Sequence, residues 1–256
     1  HSSNRRQRQM CIRDRDLTFY GLDIYKKRKL SKLLENLCEI EGISWIRLHY
    51  AYPNGFPLDV LNVMSSQPKI CNYIDIPLQH ISTNILASMR RGSNREKINS
   101  LISKFREKVP GIAIRSTVIV GFPGETKENF DELCNWIKEI KFDRLGCFKY
   151  SHEENTYAFN LKDDVPEKEK NRRLDKLMKI QANISHDKNK LKIGKKFKVC
   201  IDRSEGNYYV GRTEHDSPDV DNNVLLEKRK GYLRLGSFVQ VKITNALTYD
   251  LMAELV

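Results

Sequence analysis

The stretch from Ala113 to Thr126 reads AIRSTVIVGFPGET. Its first eight residues are mostly apolar and β-branched, which is typical of a buried strand. The glycines and proline that follow favour a turn. Residues 127–140 then repeat apolar side chains at the three- and four-residue spacing of an amphipathic helix. A strand that leads through a tight turn into a helix predicts an α/β protein.

Outward from this stretch, strand-like and helix-like patterns alternate between residues 16 and 150. The predicted strands are Trp45–Tyr52, Tyr73–Leu78, Ala113–Val120 and Arg144–Tyr150. The predicted helices are Lys29–Glu41, Pro57–Met64, Ile81–Met89, Arg95–Val109 and Lys127–Ile140. This alternation implies parallel strands joined by right-handed crossovers. Four strands are too few for a closed eight-stranded barrel, so we expect a partial barrel whose first strands lie upstream.

A different pattern begins after Gly194. The preceding residues, 166–189, are highly charged and helical, which suits a linker helix. The strand-like runs that follow are Phe197–Ile201, Tyr208–Gly211, Val224–Leu226, Phe238–Ile243 and Leu251–Leu255. Five short strands separated by turns predict a small all-β barrel. We therefore expect the partial α/β barrel and its linker helix over residues 16–191, and the all-β barrel over residues 192–256.

The first fifteen residues, HSSNRRQRQMCIRDR, fit neither pattern. Their five arginines and one aspartate supply four of the chain's twelve net positive charges. One interpretation is a basic arm that binds nucleic acid. We favour another, in which residues 1–15 are a non-native or disordered head that packs against nothing, because the segment has no apolar stripe to bury.

The cysteine pattern predicts reduced thiols and a cytoplasmic protein. Six cysteines stand at positions 11, 38, 71, 134, 147 and 200, and no two have the close spacing of a metal site. No run approaches the ~18 apolar residues that a membrane-spanning helix needs, and the polar, basic first residues do not resemble a signal peptide.

Several segments, taken in order, resemble a known family. They are DLTFYGLDIY at 16–25, WIRLHYAYP at 45–53, YIDIPLQHIS at 73–82, MRR at 89–91, RSTVIVGFPGET at 115–126 and FDRLGCFKYSHEENT at 142–156. Together they resemble the barrel of radical S-adenosylmethionine methylthiotransferases, and the C-terminal barrel is similar to the family's TRAM domain. These segments and GRTEHDSPDVDNNV at 211–224 favour the RimO-type branch, which modifies an aspartate on the twelfth protein of the small ribosomal subunit.

This resemblance implies radical chemistry. In the family, a 4Fe–4S cluster on a Cys-x-x-x-Cys-x-x-Cys loop reduces S-adenosylmethionine, and the resulting deoxyadenosyl radical takes a hydrogen from the aspartate β-carbon. A second 4Fe–4S cluster, on three N-terminal cysteines, delivers the sulfur, and a second S-adenosylmethionine donates the methyl group. Clusters need thiolate ligands, and no cysteine here matches either motif. We therefore expect both ligand sets upstream and assign no metal ligand within this chain.

The resemblance also implies residues that hold S-adenosylmethionine, because ligands of parallel barrels sit at the C-terminal ends of the strands. Gln79 could face the methionine or ribose, with a loop or capping role as the alternative. Arg115 could pair with the methionine carboxylate, with an exposed strand position as the alternative, and Thr117 lies on the same strand. Gly121 and Gly124 free the backbone to approach the adenine, although a strand-to-helix turn alone could require them.

An acidic loop marks the C-terminal barrel as the expected partner-binding module. Its carboxylates are Glu214, Asp216, Asp219 and Asp221. They would attract a basic ribosomal protein and repel RNA phosphates, so we expect protein binding and no direct RNA binding, with a solvated turn as the alternative. For the whole chain, the alternatives are a tRNA adenosine methylthiotransferase and a non-catalytic binding fragment.

The missing cysteine motifs yield a first prediction. After anaerobic reconstitution with iron and sulfide, the chain should take up no stoichiometric 4Fe–4S cluster and release no deoxyadenosine from S-adenosylmethionine, because no thiolate triad is present to ligate the iron. Iron and sulfide analysis together with chromatography of the reaction mixture measures both. Turnover with a full cluster would mean that scattered cysteines act as ligands.

Overall fold

The computed structural model describes residues 9–13, 16–228 and 231–256, and only the backbone of residues 10–13. The first unit contains a sheet of five strands: β1 (Gln9–Arg13), β2 (Trp45–His49), β3 (Ile70–Asp75), β4 (Ala113–Val120) and β5 (Arg144–Lys149). Its helices are α1 (Leu22–Tyr25), α2 (Leu30–Cys38), α3 (Asp59–Ser66), α4 (Thr83–Ser88), α5 (Arg95–Lys108) and α6 (Lys127–Ile140). The long helix α7 (Glu167–Lys190) leads to the second unit, with strands β6 (Lys196–Glu205), β7 (Tyr208–Arg212), β8 (Val224–Glu227), β9 (Phe238–Ala246) and β10 (Leu251–Leu255).

The sheet is parallel, and its strands lie side by side in chain order from β1 to β5. The predicted class, a partial parallel α/β barrel followed by a five-stranded all-β barrel, is confirmed. The clearest boundary difference concerns β3, predicted at 73–78 and found at 70–75. Pro77 cannot donate a ladder hydrogen bond, so beyond Asp75 the pairing with β4 is irregular. It continues through the Ile76 amide and through an isolated bridge at Gln79.

The head differs from its predicted state over residues 9–13. This segment forms β1 and pairs in parallel with β2, Gln9 opposite Trp45 and Arg13 opposite His49. The expectation that it packs against nothing is therefore wrong for these five residues. An edge strand needs only a partner with free backbone groups, and an apolar stripe is not required for that. The expectations for residues 1–8 and 14–15 lie outside the described residues, and a non-native origin stays a prediction.

Residues 113–140 form the strand, turn and helix that their sequence pattern predicts. Helix α6 begins after Thr126, whose hydroxyl accepts from the Asn129 amide while the Asn129 side chain accepts from the Thr126 amide. This capping box satisfies two amides that a helix start leaves free. The helix buries Trp136 fully, and its indole Nε1 donates to Asn99 Oδ1 at 2.8 Å.

Helix α7 braces the sheet and joins the two units. Leu177 and Ile184 are buried in the main core, and Gln181 Nε2 donates to the backbone oxygen of Phe142 at 3.1 Å. Most of the other charged residues of α7 are exposed, which explains its highly charged sequence, whereas Lys170 and Arg173 are buried. No helix among residues 9–13, 16–228 and 231–256 is long and apolar enough to cross a membrane.

The second unit is a closed five-stranded barrel with its own core. Its strands follow the order β10-β8-β7-β6-β9, and β10 pairs with both β9 and β8 to close it. Val199, Val241 and Ile243 are among the residues that fill its centre. Gly211 on β7 lies so close to the Cys200 carbonyl oxygen on β6 that a Cβ at this position would collide with it.

Gly211→Ala should therefore destabilise the second barrel by about 1–3 kcal/mol, because backbone atoms cannot move aside without breaking the strand pairing. Urea unfolding followed by fluorescence measures the change. Gly42→Ala is the control: Gly42 has a φ of +82° but open space around it, so the cost should be limited to about 1 kcal/mol of backbone strain. An equal or larger loss at Gly42 would contradict the close approach at Gly211.

Candidate functional site

Buried polar groups collect where the strands of the parallel sheet end, which we call the C-terminal edge. Gln79 stands there with its backbone at φ +71°. Its amide donates to Thr117 O at 2.8 Å, and its carbonyl accepts from the Ile119 amide at 2.8 Å, so the backbone is held against β4. Its side chain is buried, and Oε1 has no hydrogen-bond partner. A strained backbone with an unsatisfied buried oxygen is typical of a ligand site.

A buried charged cluster supports the turn that follows β4. Glu125 Oε2 accepts from the Gly121 amide and lies 3.3 Å from Arg173 Nη1 on α7. On its other side, Glu125 Oε1 lies 3.7 Å from His80 Nε2. Because His80 Nδ1 accepts from the Ser82 amide at 3.0 Å, the neutral ring carries its proton on Nε2, which faces Glu125. The cluster ties the ends of β3 and β4 to α7.

The two glycines of this turn differ in the space around their Cα atoms. Both have positive φ, +73° at Gly121 and +78° at Gly124. A Cβ on Gly121 would collide with the side chain of Lys170, so this close approach is to α7 rather than to a cofactor. The Gly124 amide donates to Asp164 Oδ1 at 2.8 Å, and the space around its Cα is open. Of the two glycines, only Gly124 therefore leaves room for a ligand to approach the backbone.

Thr117 lies on the sheet face that points away from the helices. It is paired with Gly146 on β5, and Thr117 Oγ1 is 3.7 Å from the position of a Cβ on that glycine. One step closer to the C-terminal edge, Ile119 is paired with Phe148, whose ring is largely exposed. This face thus offers a small hydroxyl, an open glycine position and an apolar ring, a suitable lining for a mixed polar and apolar ligand.

Arg115 does not join this group. It is the third residue of β4 and lies toward the opposite end of the strand. Its guanidinium is 3.0 Å from Asp75 Oδ1 and 3.2 Å from Asp221 Oδ1 of the second barrel. We call the region around the starts of β4 and β5 the base of the sheet. Because Arg115 binds two carboxylates there, it does not fit the expected contact with a methionine carboxylate at the C-terminal edge.

The acidic loop is also differently placed from its prediction, because it faces inward. Asp216 is almost fully buried and accepts from Arg144 Nε at 2.9 Å on β5. Burial would raise the pKa of Asp216, but Arg144, Lys192 and the Thr213 hydroxyl outweigh it and lower the pKa to about 2. The carboxylate therefore stays charged down to pH values well below the ordinary 3.8.

Two further acids of the loop contact the first unit. Asp221 accepts from the Tyr73 hydroxyl at 2.8 Å and from Arg115, and Glu214 Oε2 accepts from the Asn72 amide at 3.0 Å. Only Asp219 is exposed. The expectation that these four carboxylates bind a basic protein is wrong for Glu214, Asp216 and Asp221. Each of these three already accepts hydrogen bonds from residues of the first unit. The argument that this loop repels RNA loses its basis for the same reason.

The described cysteines do not fit an iron–sulfur cluster. Among the described residues, no group of three or more Cys, His, Asp or Glu side chains is placed to hold a metal. Burial raises the pKa of Cys147 to about 12 and that of Cys200 to about 11, which disfavours the thiolate that iron requires. S-Adenosylmethionine fits better, since the C-terminal edge offers the unpartnered Gln79 oxygen, Thr117 and the open turn at Gly124.

Two family models match this chain. Residues 8–137, just over half of the chain, match the Radical SAM superfamily. The chain belongs to this superfamily. Residues 193–256 match the TRAM domain, so the second barrel of this radical SAM chain is the expected TRAM unit.

The chain is similar to several curated proteins named ribosomal protein uS12 methylthiotransferase RimO. It is 58% identical to the one from Christiangramia forsetii over 96% of this chain and 55% of that protein. It is 50% identical to the one from Bacteroides thetaiotaomicron over 94% of this chain and 55% of that protein. The chain thus spans a little over half the length of these relatives. Among solved structures, Escherichia coli coproporphyrinogen III oxidase (HemN) matches with 21% identity and a TM-score of 0.48, covering 63% of this chain and 37% of that one.

Sequence reasoning missed the residues that join the units and the cluster behind the turn. Arg47 and Arg115 interrupt apolar strands and Arg144 begins one, which was the available signal. The sequence predicts a role for Arg115, but with a different partner. Arg47 Nη1 donates to Glu214 O at 2.7 Å. A lone arginine in a strand predicts a buried anionic or carbonyl partner, but its sequence position does not identify that partner. The cluster of His80, Glu125 and Arg173 carried no comparable signal.

Removing one partner of the Arg144–Asp216 pair should destabilise the docked units strongly. Asp216→Asn leaves Arg144 buried without a counter-charge, with an expected loss of about 3–5 kcal/mol. The double variant Arg144→Met with Asp216→Leu should lose much less, because no unpaired charge remains. Thermal unfolding and proteolysis between residues 190 and 196 measure the loss.

Asp219→Asn serves as the control, because this carboxylate of the same loop is exposed, and it should change stability by less than about 0.5 kcal/mol. Equal losses from Asp216→Asn and Asp219→Asn would mean that the loop does not hold the units together.

Proposed function

We propose that this chain is part of a methylthiotransferase that replaces a β-hydrogen of an aspartate on ribosomal protein uS12 with a methylthio group. The observation that carries the proposal is its identity of 48–58% to curated uS12 methylthiotransferases along more than nine-tenths of its length. Identity at this level along both the sheet and the TRAM barrel favours a shared substrate over a shared fold alone.

We propose that this chain binds S-adenosylmethionine but does not itself ligate an iron–sulfur cluster. The superfamily indicates S-adenosylmethionine and a 4Fe–4S cluster. Since the described cysteines do not fit a cluster, the ligands of the radical cluster, and of a second 4Fe–4S cluster, belong to sequence outside the described residues. The cluster and S-adenosylmethionine together would supply the radical that takes the hydrogen.

The chain's own residues would bind and orient S-adenosylmethionine at the C-terminal edge. Gln79 would use its unpartnered Oε1 to accept from the methionine ammonium or a ribose hydroxyl, both of which are donors. Thr117 would contact the ligand from the adjacent strand. Gly124 would let the backbone approach the adenine, while the missing side chain of Gly121 leaves room for Lys170. Phe148 would exclude water from the reacting atoms.

The substrate protein would approach the same edge. The base of the sheet is covered by the TRAM barrel, whose acidic loop is occupied by arginines. A binding role for the TRAM barrel therefore rests on its outer surface and not on Glu214, Asp216 or Asp221. A cytoplasmic location is part of this proposal, because ribosomal proteins are the expected substrates.

The test is a hybrid protein in which residues 16–256 replace the matching part of the Christiangramia forsetii relative. After cluster reconstitution, the hybrid should add one methylthio group to uS12, detected by mass spectrometry of its peptides.

Gln79→Leu in this hybrid should raise the KM for S-adenosylmethionine about tenfold, the loss of roughly one hydrogen bond to a charged group. Gln240→Leu, on the exposed face of β9, is the matched control and should change nothing.

A hybrid that modifies tRNA adenosine and leaves uS12 unchanged would contradict the proposal and favour the tRNA branch. An unchanged KM in Gln79→Leu would remove Gln79 from the ligand site and leave the substrate assignment standing.

A further inference from the structure

A band of positive charge lies along part of the C-terminal edge. It comprises two segments, IYKKRKL at 24–30 and MRRGSNR at 89–95, which contain seven cationic residues and no carboxylate. We call six of these residues the basic rim: Lys26, Lys27, Arg28, Lys29, Arg90 and Arg91. None of the site's proposed chemistry uses them.

The two segments of the basic rim meet across the loop that follows β2. The Arg28 guanidinium lies 3.2 Å from the Cβ position of Gly55. On the other side, the Asn54 side chain lies 3.1 Å from the Cβ position of Gly92, next to Arg91. The Tyr52 hydroxyl also donates to Arg91 O at 3.0 Å. The cations therefore form one continuous surface although they are some sixty residues apart in sequence.

The cations of the basic rim form no ion pair among the described residues, and Lys26 Nζ instead donates to the backbone oxygen of Asp23 at 3.0 Å. Most other buried or half-buried arginines here have a carboxylate partner, as Arg115, Arg144 and Arg173 do. No carboxylate of the described residues lies within 4.0 Å of a charged nitrogen in the basic rim. Like charges held together repel each other, so this surface gains stability from an anionic partner.

Aromatic rings are interleaved with the cations. Arg28 lies 5.0 Å from the centre of the Phe19 ring, Arg90 lies 3.3 Å from that of Tyr157, and Arg91 lies 5.9 Å from that of Tyr52. Phe19 and Tyr157 are each about half exposed, 52% and 49%. Cations that alternate with accessible aromatic rings form the surface on which proteins bind unpaired nucleotides, phosphates on the cations and bases on the rings.

Two residues of the basic rim have left-handed backbone conformations. Of the seven non-glycine residues with positive φ among those described, five lie at or near the C-terminal edge: Lys26, Tyr50, Gln79, Arg90 and Asn155. Two of them, Lys26 and Arg90 at +54° and +55°, belong to the basic rim. Such strain is concentrated at functional sites because it fixes the direction of a side chain at a cost in stability.

We propose that the basic rim binds single-stranded RNA beside the active-site edge. A basic ribosomal protein alone would be repelled by this surface, whereas RNA phosphates would be attracted and its bases could stack on Phe19 and Tyr157. The proposal does not depend on methylthiolation. If both hold, the substrate at this edge is a ribosomal protein in contact with RNA, not the free protein.

The test measures binding of the whole chain to a labelled single-stranded RNA of about 12 nucleotides across a range of salt. Lys27→Glu with Arg90→Glu should weaken binding at least tenfold and lower the slope of log Kd against log salt by about 2, one for each lost phosphate contact. Tyr157→Ala should weaken RNA binding about tenfold through lost stacking, and it should leave binding of inorganic polyphosphate unchanged.

The matched control is Lys138→Glu with Lys179→Glu, an equal charge change at exposed positions of α6 and α7. Melting curves of all variants verify that they fold. If the control weakens RNA binding as much as the rim variant does, the binding reflects net charge and the proposal is wrong. It is also wrong if Tyr157→Ala leaves RNA affinity unchanged, since the surface would then bind any polyanion.

Discussion

The buried ion pair between Arg144 and Asp216 determines how the two units of this chain meet. Arg144 starts β5 and Asp216 belongs to the acidic loop of the TRAM barrel. Neither charge is stable in the interior without the other. The neighbouring contacts of Arg47 and Arg115 with the same loop repeat this arrangement. The TRAM barrel therefore covers the base of the sheet and leaves the C-terminal edge uncovered.

The docking of the two units determines which charged side chains are exposed to solvent. Asp216 and Asp221 of the acidic loop pair with arginines of the sheet, and the Glu214 carboxylate accepts from the Asn72 amide. The cations of the basic rim have no carboxylate partner among the described residues. The exposed surface near the C-terminal edge is thus basic, while most of the acidic loop is withdrawn from solvent. Long-range attraction depends on exposed charge, so the carboxylates counted along residues 211–224 do not predict the sign of the exposed surface.

The open edge combines rigidity with strain. The cluster of His80, Glu125 and Arg173 fixes the turn after β4 against α7. Beside it, Gln79 keeps a left-handed backbone and a buried oxygen without a partner. A site that is held rigidly from behind can keep an unsatisfied group ready for its ligand, because the cost is offset by the packing around it.

The sequence by itself determined the α/β class, the five-stranded second barrel, most element boundaries and the family, since these follow from local periodicity, turn residues and ordered motifs. It also predicted Gln79 and Gly124 just beyond strand ends and Thr117 on β4, because strand ends can be read along the chain. Their role in binding a cofactor stays a prediction. Only the tertiary structure decided that Gly121 serves Lys170, that Arg115 binds Asp221, and that the acidic loop faces inward. Each of these depends on a partner from 40 to more than 100 residues away, and sequence spacing carries no information about which distant charge a buried charge will meet.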